Sequence, residues 1–167
     1  MKALLVKYKL VIKFILTFLL VYITFSVLYK YYLQFSDGSK FYPDYMTHLV
    51  AEQTKSALNT FGYNAQVLPH PNEPSMKVIL NNIYLARVIE GCNSISVIIL
   101  FISFILAFAA KFKTTFFYIF LGSVLIYTVN LLRIVLITIG LYHYPNQTDV
   151  FHTVVFPGII YGLVFLL

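Results

Sequence analysis

Charged residues are scarce in this sequence, at 11% of 167 residues, whereas apolar residues make up 60%. Soluble domains average about 25% charged and about 45–50% apolar residues, so this composition is typical of a membrane protein. The net charge of +6 does not indicate a nucleic-acid-binding surface, because the basic residues flank apolar runs instead of gathering on one polar face.

Cysteine is almost absent, since Cys92 is the only one. A single cysteine excludes an intramolecular disulfide. The sequence also lacks a CxxC pair, His/Cys pairs at metal-ligand spacing, a Gly-rich phosphate loop, GxSxG and HExxH. It therefore predicts neither a metal site nor a cofactor.

Four apolar segments of about 17–27 residues are each long enough to cross a bilayer as a helix. They are Leu10–Tyr29, Ser94–Ala110, Thr115–Leu141 and Phe151–Leu167. The predicted fold is an all-α integral membrane protein with four transmembrane helices. The first segment could instead be a signal peptide, but its apolar run exceeds the usual length of about 7–15 residues and no A-x-A-like site follows it. We therefore interpret it as a retained helix.

The basic residues predict the orientation of these helices. Six of them fall on one side of a four-span protein: Lys2, Lys7, Lys9, Lys13, Lys111 and Lys113. The positive-inside rule then places both termini and the loop KFKT in the cytoplasm. Residues 30–93 and the short loop 142–150 face outward.

The long outer loop has its own secondary-structure signals. FYPDYMTHLVAEQTKSALNTFGY has apolar residues at helical spacing, with a proline near its start and a glycine near its end. AQVL, the turn PHPNEP and SMKVILNNIYLARVIE predict two or three short strands. We therefore expect a small α+β extracytoplasmic cap over residues 30–91, between a first region (1–29) and a membrane core (92–167).

Three chemically active side chains are predicted to lie at one depth. A helix rises about 28 Å from Lys111 back to Cys92, and about 30 Å from Lys113 forward to Arg133. Both residues then reach the outer rim of the bilayer, where His152 begins the fourth segment. The topology thus predicts that Cys92, Arg133 and His152 share one level.

These residue types suit acyl transfer. A cysteine thiolate can attack a carbonyl, a histidine can pass its proton to a leaving amine, and an arginine can stabilise an oxyanion. Asn130 lies three positions before Arg133, hence on the same helix face, and could orient it or only satisfy a hydrogen bond between helices. Read singly, Cys92 could be a packing residue and Arg133 a lipid-facing anchor.

EGCNSI (90–95), NLLRI (130–134) and FHTVVFPG (151–158) resemble, in order and spacing, the three motif blocks of the exosortase/archaeosortase family. The compact plan is most similar to the short Bacteroidetes form, exosortase F. The resemblance implies a bacterial inner-membrane cysteine transpeptidase with its active site on the periplasmic face. The family's nucleophile, arginine and histidine correspond to Cys92, Arg133 and His152, although His143 competes for the last role. Many members have a glycine shortly after the cysteine, where this chain has Asn93-Ser94.

The resemblance also implies partners. The substrates would be secreted proteins that end in a short motif, an apolar helix and a basic tail, and a lipid or glycan would be the acceptor. Membrane lipids and a small accessory membrane protein are further candidate partners, and no nucleic acid is expected. Two alternatives stay open: a non-catalytic subunit that binds lipid headgroups, and a membrane cysteine protease that uses water as acceptor.

Overall fold

A computed structural model describes residues 8–36, 41–108, 111–145, 158, 162, 165 and 166. The elements in chain order are helix α1 (Lys9–Ser36), helix α2 (Tyr45–Thr60), strands β1 (Ala65–Pro69), β2 (Ser75–Leu80) and β3 (Ile83–Ile89), a 3₁₀ turn (Glu90–Cys92), helix α3 (Ile95–Ala107) and helix α4 (Phe112–His143). His152 and most of the predicted fourth helix lie outside the described residues.

Two of the described helices are long and apolar enough to cross a membrane. They are α1, with 28 residues and a mean hydropathy of 2.3, and α4, with 32 residues and a mean hydropathy of 2.1. Helix α3 is apolar but has only 13 residues, or about 20 Å of rise. It is shorter than the predicted segment Ser94–Ala110, so α3 alone does not match a hydrocarbon layer of about 30 Å.

Both long helices extend past their predicted outer ends. Helix α1 continues from Tyr29 to Ser36, and α4 continues from Leu141 to His143. Their lengths correspond to about 42 Å and about 48 Å, well above the hydrocarbon thickness. The extra turns contact the region between α1 and α3. The backbone N–H of Met46 donates to the Tyr32 hydroxyl at 3.4 Å, and His143 Nε2 lies 3.1 Å from the Tyr63 hydroxyl.

Helix α3 packs between α1 and α4. On one side the ring of Phe14 meets Phe104 and Phe108, with centroids 5.8 Å and 4.3 Å apart. On the other side the buried ring of Phe101 lies directly over Gly122 of α4, where a side chain would overlap it. The lack of a side chain at Gly122 therefore sets how closely α3 and α4 approach.

The segment between α1 and α3 forms one helix and three strands, in agreement with the predicted α+β cap. Helix α2 begins after Asp44, whose carboxylate accepts hydrogen bonds from the backbone N–H groups of Met46 and Thr47, both at 3.0 Å. The strands form an antiparallel sheet in the order β1-β2-β3. Ala65 pairs with Leu80, and Ser75 pairs with Ile89.

The core of the cap lies between this sheet and two helices. Its buried side chains are Val50, Ala51, Leu58, Ala65, Val67, Met76, Val78, Leu80, Val88, Ile134 and Val135. The last two come from α4, so the outer turns of a membrane helix complete the core of the cap. Side chains alternate between the two faces of a strand, so Met76, Val78 and Leu80 of β2 all lie on the face that packs against these helices.

Candidate active site

Cys92 ends the 3₁₀ turn that directly follows β3, and α3 begins only at Ile95. The predicted membrane segment starts at Ser94, one residue before α3, but the depth estimate counted a continuous helix back to Cys92, where the structure has a 3₁₀ turn instead. The thiol is free, and the partly buried side chain packs against the core of the cap. Cys92 therefore lies in a tight connection between the cap and the membrane helices.

Asn93 holds this connection in place from three directions. Its side chain is only 1% exposed. Its Oδ1 accepts a hydrogen bond from the backbone N–H of Ile95 at 3.0 Å, which satisfies a donor at the start of α3. Its Nδ2 donates to the hydroxyls of Tyr29 at 2.7 Å and Thr47 at 3.3 Å. The residue next to Cys92 is thus bound to α1, α2 and α3 together.

Ser94 completes the turn in a left-handed conformation, with φ of 64°. Its hydroxyl donates to the backbone carbonyl of Asn93 at 2.6 Å. A positive φ is costly for residues with a Cβ and is most easily adopted by glycine. This geometry explains why a glycine shortly after the cysteine would suit the turn.

Asn130 connects the turn to a fourth helix, α4. Its Nδ2 donates to the backbone carbonyl of Cys92 at 2.7 Å, and its side chain is only 2% exposed. Nη1 of Arg133 lies 3.4 Å from Oδ1 of the same asparagine, to which it donates. One buried amide therefore connects the cysteine backbone with the guanidinium group, which are 41 positions apart in sequence.

Arg133 retains unused hydrogen-bonding capacity beside the turn. Its Nε is buried and has no hydrogen-bond partner in the described part of the chain. The ion pairs in that part are Lys55 with Glu52 and Arg87 with Glu73, so none involves Arg133. A guanidinium group without a carboxylate partner is suited to bind an anion or a developing oxyanion.

This geometry can be compared with known proteins. The family model for transmembrane exosortases matches residues 6–167. The chain belongs to the transmembrane exosortase family. It is therefore a membrane protein of a family that is generally described as protein-sorting cysteine transpeptidases. No curated protein and no solved structure matches the chain. The assignment to the exosortase F branch stays a prediction.

His143 of this exosortase lies far from the cysteine. It is the last residue of α4, and its Nε2 is 3.1 Å from the hydroxyl of Tyr63 in the cap. Thirteen residues separate it from Asn130, which corresponds to about 20 Å along the helix axis. Because Asn130 contacts Cys92 directly, this distance argues against His143 as the proton donor. His152 lies outside the described residues.

Glu90 starts the turn that Cys92 ends. Its side chain is exposed and forms no ion pair with any described residue. It lines a cleft of about 270 Å³. The other lining residues are Leu33, Gln34, Pro43, Asp44 and Pro74. A cleft with both polar and apolar lining residues therefore lies at Glu90, two positions before Cys92 in the chain.

Sequence reasoning missed the partners of the turn. In the sequence, Asn93 differs from the glycine expected at this point in many family members, and Tyr29 is only the end of the first apolar segment. One signal was available, since Ser94 and Asn93 are both residue types typical of helix starts; Ser94 is the N-cap of α3, and Asn93, one residue earlier, accepts the hydrogen bond from Ile95. In the described part of the chain, no group of three His, Cys, Asp or Glu side chains could hold a metal ion.

Proposed function

We propose that this exosortase is a cysteine transpeptidase that cleaves a C-terminal sorting signal of secreted proteins and transfers them to a surface anchor. Cys92 would be the nucleophile and Arg133 the oxyanion-stabilising group. The observation that carries the proposal is the Asn130 side chain, which binds the Cys92 carbonyl and the Arg133 guanidinium at once. Such a link fixes two reacting groups relative to each other before substrate binds.

In the proposed reaction the thiolate of Cys92 attacks the carbonyl carbon of the scissile peptide. The carbonyl electron pair moves to oxygen, and Arg133 stabilises the resulting oxyanion. The C–N bond then breaks, and the departing amine takes a proton. The resemblance assigns this proton transfer to His152. The thioester that remains is attacked by an amine or hydroxyl of a lipid or glycan acceptor, which restores the thiol.

The depth of the site supports this reaction at the outer rim of the inner membrane. From Lys111, at the start of α4, to Asn130 the helix rises about 28 Å. This rise matches one hydrocarbon thickness, so the loop KFKT and the cysteine turn would lie at opposite faces. A substrate with an apolar C-terminal helix would then present the residues just before that helix to Cys92.

A second candidate function is a non-catalytic subunit that binds lipid headgroups. The guanidinium group of Arg133 favours it, because it has no carboxylate partner among the described residues and could donate to a lipid phosphate as well as to an oxyanion. Substitution of the thiol separates the two functions. Cys92→Ser is nearly isosteric, so lipid binding would survive it and thioester chemistry would not.

The experiment follows a tailed secreted protein from the same cell by intact mass. It is expressed with the wild-type exosortase, with Cys92→Ala and with the matched control Ser103→Ala. Ser103 is fully buried in α3, and its hydroxyl donates to the Ile99 carbonyl of its own helix and to no other described residue. Loss of the tail with an added mass, seen with wild type and Ser103→Ala only, supports transfer. Loss of the tail with a free carboxyl indicates a protease. Processing that persists with Cys92→Ala contradicts the proposal.

A further inference from the structure

We propose that the substrate binds as a fourth strand along the free edge of β3, parallel to it, with its scissile bond delivered to Cys92. This inference rests on the proposed function. It concerns how the residues before the cleavage point are recognised, which the chemistry of Cys92 and Arg133 does not determine.

The first observation is the position of β3 in the sheet. Among the described residues, β3 (Ile83–Ile89) pairs with β2 alone, so its other side is a sheet edge in that part of the chain. Within the described residues, no hydrogen bond joins the backbone of β3 to a helix, a loop or a side chain outside the sheet. Such an edge presents a row of free N–H and C=O groups, to which an extended peptide can add as a new strand.

The second observation is the difference between the two edges. The opposite edge strand, β1, ends in Pro69, which has no N–H, and the backbone N–H of its first residue, Ala65, donates to Asn59 Oδ1 at 2.8 Å. Proline is one of the usual means by which natural sheets prevent edge pairing. β3 contains no proline. The edge that leads to the cysteine is therefore the less protected one.

The third observation is the character of the exposed side chains of β3. Tyr84 is 48% exposed and Ile89 is 38% exposed. Between them, Arg87 is held in an ion pair with Glu73, so it is not available to repel an approaching strand. The Lys77 ammonium group lies 5.6 Å from the centre of the Tyr84 ring, but both Tyr84 and Ile89 keep exposed apolar surface. An edge strand with exposed aromatic and aliphatic side chains predicts a pairing partner.

The direction of the added strand follows from the chain path. β3 runs from the cap into the turn at Cys92, and the chain then continues as the apolar helix α3. A sorting signal has the same order, with an extended motif before an apolar helix. A substrate that runs alongside β3 toward the membrane must therefore be parallel to it. Its cleavage point then falls beside the turn, next to the cleft lined by Glu90.

Disulfide cross-linking tests this arrangement, because Cys92→Ser removes the only cysteine. In that background, Tyr84→Cys and Ile89→Cys place one thiol at each end of β3. Leu68→Cys, at a residue 49% exposed on β1, is the matched control. Single cysteines are moved through the substrate residues before its cleavage point. All three positions are exposed, so the core of the cap is unchanged.

The parallel arrangement predicts that Ile89→Cys cross-links nearest the cleavage point. The maximum for Tyr84→Cys should lie about four or five residues farther toward the substrate N-terminus, because strands advance in step except at the bulge that β3 has between these positions. The control on β1 should give no maximum. A reversed order, or equal cross-linking from β1, overturns the inference.

Processing by the chain that retains Cys92 is measured in parallel. If processing depends on Cys92 while β3 gives no cross-link, strand addition is wrong and the proposed function stands. If the retained thiol makes no difference to processing, the proposed function fails, and this inference fails with it.

Discussion

Replacing Asn130 by alanine tests the link between the cysteine turn and the arginine. Asn130 is almost fully buried, and its amide is the hydrogen-bond partner of both the Cys92 carbonyl and Arg133 Nη1. Alanine removes both bonds and adds none. The Cys92 carbonyl then loses its donor, and Arg133 loses the one described group that orients it.

The magnitude follows from these two bonds. A buried polar group left without a partner costs about 1–3 kcal/mol. Arg133 is only partly buried, so water can replace one of its bonds, and we expect a loss of about 1–3 kcal/mol in total. The effect on transfer is larger than the effect on stability. A misplacement of about 1 Å lowers the rate roughly 100-fold, so transfer should fall by a factor of about 10–100.

Two assays separate these effects, and Thr138→Ala is the matched control. Thr138 is also fully buried in α4, but its hydroxyl bonds only to Ile134 of the same helix. Transfer is followed by intact mass, and the mobility of the turn by the rate at which a maleimide alkylates Cys92. Asn130→Ala should slow transfer and speed alkylation, whereas the control should change neither. If Asn130→Ala keeps both rates at the wild-type level, Asn130 does not position the site.

Three further substitutions test the contact between α3 and α4 and the residues of the cysteine turn. Gly122→Ala should lower the free energy of unfolding in detergent by about 1–3 kcal/mol, because the added methyl group overlaps the buried ring of Phe101. Its control is Gly140→Ala, which should be neutral or stabilising because the space around its Cβ is open. Ser94→Gly should retain transfer and raise stability by about 0.5–1 kcal/mol, since it relieves a positive φ; a lower melting temperature would contradict this. Asn93→Ala should cost about 2–4 kcal/mol because three hydrogen bonds are lost, and unchanged resistance to proteolysis would count against its role.

Patterns that depend on near neighbours in sequence were predictable. Helical spacing and the flanking proline and glycine predicted α2, and turn residues predicted the strands around PHPNEP. The apolar runs predicted α1 and α4 in type and approximate position. The ends of these helices were wrong, because hydropathy does not distinguish a turn that packs on the cap from one that faces lipid. Ile134 and Val135 look like lipid-facing residues in sequence, yet they complete the core of the cap.

The candidate site was predictable only in part. Counting helical rise from the basic loop placed Cys92 and Arg133 at one level, and the structure connects both to Asn130. The same count assumed an unbroken helix from Cys92, which does not exist. The support of the turn by Tyr29 and Thr47 could not be predicted, because these residues precede Asn93 by 64 and 46 positions and only tertiary packing brings them together.

The cap is part of the candidate site as well as its cover. Helix α4 packs on α3 through Gly122, holds the cysteine turn through Asn130, and completes the cap core through Val135. The Thr47 hydroxyl of the cap in turn accepts a hydrogen bond from Nδ2 of Asn93, next to the cysteine. A chain without the cap would therefore leave buried groups at the turn without partners. The position of Cys92 therefore depends on the apolar helices and on the cap together.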